Sequence, residues 1–218
     1  MQKNNISNSV IRRLPRYYRF LGGLLKQNIT KISSRELSEM MRLTASQIRQ
    51  DLNCFGGFGQ QGYGYNVAEL RNEIGKILGL DVTEKVILIG AGNLGRAITM
   101  HIDFSKYGYD LAGIFDNNIS MENIEIIGIP IMHTSHLADF CAKHKPNMAI
   151  LCIPPSGAKE IVEKLMELGV NAFWNFSHYD IHFDFPDAKV ENVHLTDSLM
   201  TLSYAAKHSD EHCNDTDE

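Results

Sequence analysis

Apolar side chains recur at helical spacing in three blocks before residue 56. In RRLPRYYRFLGGLLKQN, residues 12–28, Leu14, Tyr17, Tyr18, Leu21, Leu24 and Leu25 form one stripe, and Pro15 suits a first turn, where no backbone N–H is needed. SRELSEMMRL turns Leu37, Met40 and Met41 inward, and ASQIRQDLNCF places Ile48, Leu52 and Phe55 at i, i+4 and i+7. Ser33 with Glu36, and Thr44 with Gln47, have the spacing of a capping box, in which hydroxyl and side-chain oxygen each cover a free backbone N–H. Two short capped helices joined by a tight turn after a longer helix predict a helix-turn-helix. The period then breaks at FGGFGQQGYGYNV, where glycines 56, 57, 59, 62 and 64 alternate with Phe58, Tyr63 and Tyr65. That predicts a β-hairpin wing with Gln60 and Gln61 at its tip. The alternative is a small helical bundle with a solvated polar face, which the Gly-aromatic stretch and a basic charge balance disfavour.

After a further helical stretch, VAELRNEIGKILGL, short apolar runs alternate with amphipathic ones. KVILIG, DLAGIFD, NMAILCIPP and VNAFWNFS read as strands, and the segments after Gly95, HLADFCAKH and GAKEIVEKLMELG read as helices, predicting about five parallel strands with helical crossovers. The chain closes on VENVHLTDSLMTLSYAAK, a helix that Thr196 could cap. Its Leu195, Leu199, Leu202 and Ala206, spaced 4, 3 and 4, make a narrow apolar seam that either folds back on its own sheet or packs on a partner. The predicted organisation is α/β: a winged helix-turn-helix domain at 1–80, a doubly wound parallel sheet at 81–193, a dimerisation helix at 194–207 and an acidic tail at 208–218.

Charge sharpens this division. Residues 1–80 carry 12 Lys+Arg against 5 Asp+Glu, and residues 81–218 carry 9 against 21, so a basic front half sits on an acidic remainder. A polyanionic partner is expected for the front half alone. Ser46, Gln47, Arg49 and Gln50 project from the first two turns of the third helix, where glutamine can pair with adenine and arginine with guanine. Phe58, Gln60, Gln61 and Tyr63 of the wing complete the expected DNA surface. No run approaches the 18 or more apolar residues of a membrane span, and MQKNNISNSVIRRL shows no secretory h-region. The four cysteines, 54, 141, 152 and 213, form no CxxC and fit a reducing cytoplasm.

The chemistry centres on Gly90, Ala91, Gly92, Asn93, Leu94 and Gly95, a GxGxxG between a strand and a helix. The first glycine permits the turn, the second lets backbone approach a pyrophosphate, and the third lets helix pack on strand, while the helix N-terminus offers free N–H groups to phosphate. Asp116, with Asn117 beside it, lies 26 positions past Gly90, somewhat beyond the usual 20 or so, and predicts a ribose-diol contact favouring NAD(H) over NADP(H). Cys152, Ile153 and Pro154, and Asn175 and Ser177, end strands on the carboxyl edge where such sheets bind ligands, although the prolines at 154 and 155 serve equally as loop punctuation. Only about 40 residues follow the last predicted strand, too few for a substrate domain. His133 and His136 have no partner at metal spacing, and His178, Asp180, His182 and Asp184 fit the solvated face of a strand better than a metal site. The nucleotide is expected to be sensed rather than consumed, by a protein that is not an enzyme.

Taken together, SSRELSEMMRLTASQIRQDL, FGGFGQQGYGYNV, VILIGAGNLGRAI, IFD and VENVHLTDSLMTLSYA resemble the Rex family of redox-sensing transcriptional repressors, over residues 8 to 207. The resemblance implies a homodimer with an N-terminal winged helix, a C-terminal Rossmann domain and a swapped last helix. It implies palindromic operator binding at a low NADH/NAD+ ratio and release when NADH binds. It assigns Gly90, Gly92 and Gly95 to the nucleotide loop, Asp116 to the ribose and Arg19 to a domain interface. Gln60 and Gln61 stand where the family's wing often carries Lys-Arg. His101 and His194 stand where some members place a tyrosine and an aspartate near the nicotinamide, which would give a titratable pair in the interdomain switch. The alternatives are a Rossmann enzyme or carrier that binds coenzyme A, and a DNA-binding protein whose nucleotide is purely structural.

Overall fold

The computed structural model describes residues 6–56 and 64–208. The chain divides into two compact units, Met1–Val82 and Thr83–Glu218.

In the first unit, α1 (Asn8–Lys26) is followed by β1 (Lys31–Ile32), α2 (Ser34–Met41), α3 (Ala45–Asn53), β2 (Tyr65–Asn66) and α4 (Val67–Ile77). The predicted stripe of α1 is its inner face: Leu14, Tyr17, Leu21 and Leu24 are buried against Leu37, Met41, Ile48, Leu52, Leu70 and Ile74. The helix begins at Asn8, earlier than its apolar stripe indicated, so Pro15 lies in its interior and not in its first turn. The box at Ser33 forms in full, with Ser33 Oγ accepting from Glu36 N (3.1 Å) and Glu36 Oε2 from Ser33 N (2.8 Å). The box at Thr44 forms only by half. Thr44 Oγ1 accepts from Gln47 N at 3.1 Å, but the Gln47 side chain turns to Asp51 instead of back to residue 44. Arg42, in the left-handed region (φ 51°), closes α2 and makes the turn into α3. β2 pairs antiparallel with β1. There Gly64 is obligatory, because at its φ of 72° a Cβ would lie 2.6 Å from the Ile32 carbonyl oxygen. The middle of the predicted wing, residues 57–63, lies outside the described residues.

The second unit contains β3 (Glu84–Ile89), α5 (Asn93–His101), β4 (Tyr109–Asp116), β5 (Glu125–Ile126), β6 (Ile129–His133), α6 (Leu137–His144), β7 (Met148–Leu151), α7 (Pro155–Glu167), β8 (Ala172–Asn175), α8 (Ile181–Asp184), β9 (Lys189–Asn192) and α9 (Leu195–Lys207). Its seven strands are ordered β5-β6-β4-β3-β7-β8-β9, all neighbours parallel except the β5–β6 pair. Without the β5 edge this is the doubly wound order, whose direction of winding reverses between β3 and β7 and leaves a crevice at their carboxyl ends. One core of Ile87, Ile89, Phe115, Leu151, Val162 and Phe173 fills one face, and another of Val86, Leu88, Ile98, Ile114 and Ile150 fills the other. Three strands, β5, β6 and β9, lie where none was predicted individually. The segment 178–184, read as one face of a strand, contains the helical turn α8 instead.

α9 begins one residue before Thr196, with His194 at the capping position and no side-chain cap. Among the described residues it buries nothing: Leu195, Leu199, Met200, Leu202 and Tyr204 are each 61–67% exposed. It does not fold back on its own sheet.

Candidate functional site

The glycine loop stands at the β3–β7 reversal, and its three glycines occupy different surroundings. Gly90 has φ 99°, and a Cβ there would lie 2.4 Å from the Cys152 carbonyl oxygen. A Cβ on Gly95 would lie 2.0 Å from the Gly90 carbonyl oxygen, so α5 rests directly on the end of β3. At Gly92 a Cβ would meet nothing within 4 Å. Two of the glycines are therefore demanded by protein packing, while the third faces open space beside the α5 N-terminus, as close approach of a phosphate requires. Asn93 and Leu94 form the first turn of α5, whose leading N–H groups have no partner within the helix.

Asp116, at the end of β4, ties the loop to the sheet. Its Oδ2 accepts from Ala91 N and its Oδ1 from Asn118 N, each at 2.8 Å. Each carboxylate oxygen retains a further lone pair for a ribose hydroxyl. Arg96 Nε donates to the Ala91 carbonyl at 3.0 Å, so the loop is held from both sides. The Asn117 side chain is exposed beside Asp116, and the Asn117 backbone carbonyl oxygen lies 3.2 Å from His133 Nε2. On the β7 side, Cys152, Ile153 and Pro154 follow the strand end, and Pro154 leads into α7. Burial pushes the Cys152 thiol up to about 12, so it stays protonated and inert.

Asn175 and Ser177 differ from the other predicted ligand contacts. Both are buried, and their polar atoms serve the fold: Asn175 Nδ2 donates to the Tyr179 carbonyl (2.9 Å) and Asn192 Oδ1 (2.8 Å), and Asn175 Oδ1 accepts from Ser177 N (3.0 Å) and Oγ (2.6 Å). They brace the carboxyl ends of β8 and β9.

His194 is paired with His178, whose Nδ1 lies 2.8 Å from His194 Nδ1 with the rings stacked at 4.9 Å, rather than with His101. His101 ends α5, exposed. Asp184 is engaged by Lys159 at 2.9 Å and by the Tyr179 hydroxyl. Among the described residues no group of three or more His, Cys, Asp or Glu is arranged for a metal ion, and no helix is long and apolar enough to cross a membrane.

In the first unit, Ser46, Arg49 and Gln50 lie exposed on one side of α3, opposite buried Ile48, Asp51 and Leu52. Arg49 Nη1 reaches Ser34 Oγ at 3.2 Å, bridging α3 to the start of α2. Gln47 is half-buried, because its amide is held by Asp51. Arg19 borders a groove of about 320 Å³ on the side of α1 facing Met40, with Phe20, Gly23, Leu24 and Gln27. Phe58, Gln60, Gln61 and Tyr63 lie outside the described residues. Asp51 itself escaped the sequence reading. Its signal was a lone acid between Ile48 and Leu52, on the inward stripe of a helix otherwise without acidic residues.

A family model described as "Putative DNA-binding protein N-terminus" matches residues 5–53, and one described as "CoA binding domain" matches residues 81–179. The redox-sensing transcriptional repressor Rex of Thermoanaerobacter pseudethanolicus is 53% identical over 203 residues, covering 93% of this chain and 90% of that protein. A crystal structure of RSP in complex with β-NAD+ and operator DNA matches with 51% identity and a TM-score of 0.86, over 96% of this chain and 95% of that one. A crystal structure of RSP in complex with β-NADH matches with 49% identity and a TM-score of 0.86, over 96% and 97%.

Proposed function

The chain belongs to the Rex family of redox-sensing transcriptional repressors, and on that footing we propose that its first unit holds a palindromic operator through α3 while the glycine loop of its second unit holds NAD(H), NADH favouring release. The observation that carries the nucleotide half is the contrast within the loop: packing forbids a side chain at Gly90 and Gly95, and open space meets Gly92. A phosphate-bearing ligand fits that space, with the N–H groups of Asn93 and Leu94 and the positive end of α5 to receive its charge. Asp116 and Asn117 face the ribose, and Cys152, Ile153 and Pro154 wall the crevice from the β7 side. Asn175 and Ser177 shape that wall from behind. When bound, the nucleotide supplies only its oxidation state as a signal. The relatives it resembles are named as repressors, and on that ground we read this chain as a regulator.

For DNA, Ser46, Arg49 and Gln50 form the exposed reading face, with Phe58, Gln60, Gln61 and Tyr63 contributing from the wing. The basic balance of residues 1–80 supplies the salt-dependent attraction to phosphates. A palindrome requires a two-fold protein, and the unburied apolar helix α9 supplies the surface for a homodimer in the cytoplasm. Arg19, His101 and His194 are retained as residues of the switch, with His178 joined to His194. Binding linkage sets the test: NADH that weakens operator binding must be weakened by operator to the same extent. Titrating an operator complex with NADH and NAD+ should dissociate it at far lower NADH. Equal effects of the two forms would leave the nucleotide structural, and absence of operator binding would favour the coenzyme A carrier.

A further inference from the structure

Asp51 is fully buried on α3, yet it is ionised and surrounded by donors. Its Oδ2 accepts from Arg13 Nε at 2.7 Å and Tyr17 Oη at 2.9 Å, and its Oδ1 from Arg13 Nη2 and Gln47 Nε2, each at 2.8 Å. Four donors fill the carboxylate's lone-pair sites, two on each oxygen. Burial pushes the Asp51 carboxyl up, but the hydrogen bonds from Arg13, Gln47 and Tyr17 outweigh burial and hold it below its ordinary value.

A carboxylate can only accept, so the glutamine beside it has no choice of orientation: its NH2 group must turn inward and its Oε1 the other way. The residue so oriented sits in the first turn of the helix read here as the DNA-reading element, its backbone N–H held by Thr44. A glutamine free in solution offers donor and acceptor interchangeably, and this one does not.

We propose that Asp51 is a specificity-determining positioning residue: by fixing the Gln47 amide it makes α3 present a hydrogen-bond acceptor, selecting a base that displays an amino group in the major groove. Those bases are adenine, through N6, and cytosine, through N4, whereas guanine and thymine display acceptors at the corresponding edge. The inference rests on the operator-binding reading. Arg13 and Tyr17, from α1, hold the carboxylate in register, so the polarity of one contact is set by residues remote from the bases.

The test is selection from a randomised duplex library with the full-length protein and two variants. Gln47→Met keeps the length and removes the amide, and discrimination at one base position of each half-site should collapse from roughly five- to a hundred-fold towards none. Asp51→Asn replaces the acceptor-only group by an amide that can turn either its C=O or its NH2 to Gln47, so the Gln47 amide is no longer held in one orientation. The preference at that same position should widen to admit guanine or thymine, with the other positions unaltered. If Gln47→Met leaves every preference intact while operator is still bound, Gln47 reads no base and the proposal is overturned, whereas a wild-type protein that selects no sequence would instead remove the operator-binding reading beneath it. If Gln47→Met abolishes the preference while Asp51→Asn lowers affinity for all sequences alike, Asp51 merely supports the fold and the proposal is overturned. Should Asp51→Asn not fold, the Gln47 side-chain amide resonances of the wild-type protein decide. One of the two Gln47 amide protons is expected to be protected from exchange, and an amide whose protons both exchange as fast as those of an exposed glutamine overturns the proposal.

Discussion

Replacing Leu199 and Leu202 together with aspartate should convert the protein into a monomer without unfolding it. Complete burial of a leucine side chain stabilises by about 1.5–3 kcal/mol. In the single chain Leu199 and Leu202 are each 62% exposed, so each has about 1–2 kcal/mol left to gain on being covered. Two residues in two copies of a symmetric dimer make about 4–7 kcal/mol, which raises the dimer dissociation constant by about a thousand-fold or more. The new carboxylates add a desolvation cost in the same direction. Because α9 buries nothing among the described residues, neither change touches a core seen there, and the thermal transition of the isolated chain should stay where it was. Sedimentation over a range of concentrations measures the association, and tryptophan quenching by NADH shows whether the nucleotide site survives. The expected product is a folded, nucleotide-binding monomer that no longer shifts operator DNA. A dimer of wild-type mass and affinity would refute the assignment of α9 to the subunit interface, and a large fall in the monomer's melting temperature would show that the helix packs at home.

Four shorter predictions concern the two units. Arg49→Ala should weaken operator binding by about 1–3 kcal/mol if the guanidinium contacts a base, read by gel shift on operator and scrambled duplexes; unchanged affinity on both would remove α3 from the interface. Gly92→Ala should leave the melting temperature unchanged yet weaken NADH binding in calorimetry, whereas Gly95→Ala should lower the melting temperature, because its Cβ would lie 2.0 Å from the Gly90 carbonyl oxygen. Asp116→Ala should weaken NADH binding and narrow its preference over NADPH; a wild-type protein binding both equally would deny Asp116 that role. Because the folded Asp51 carboxyl lies below its ordinary value, its contribution to stability is complete above about pH 4 and is lost as pH falls through the folded value. Denaturant midpoints measured down that range should fall more steeply in the wild type than in Asp51→Asn, and parallel curves would mean that Asp51 is not the responsible group.

Legibility in the sequence followed the range of the interactions. The inner stripe of α1, the capping box at Ser33 and the glycine loop after β3 depend on residues within a few positions of one another, and the pattern carries them. Pro15 misled because a proline inside a helix costs one exposed hydrogen bond, which an otherwise strong apolar stripe sustains. β9 is a short edge strand whose residues are mostly exposed, so it lacks the apolar run that marked β3. Four residues of alternating polarity at 181–184 cannot tell a strand from one helical turn. The least legible features join distant segments: Asp51 with Arg13 and Tyr17 across α1, and His178 with His194 between the ends of β8 and β9. Each is a meeting of polar side chains that only the tertiary fold arranges, and no local period announces it.

The double anchoring of the glycine loop has a consequence for what kind of signal the protein can report. Asp116 and Arg96 fix the Ala91 peptide from opposite sides, so the loop has little freedom left to lose when a dinucleotide arrives. The portion common to both redox forms then meets the same rigid frame, and its contribution to affinity cancels in any comparison between them. What remains is the ring that differs, neutral in one form and cationic in the other. Wherever the two forms together saturate such a site, its occupant is set by their ratio and not by the size of the pool: it acts as a balance, not a gauge.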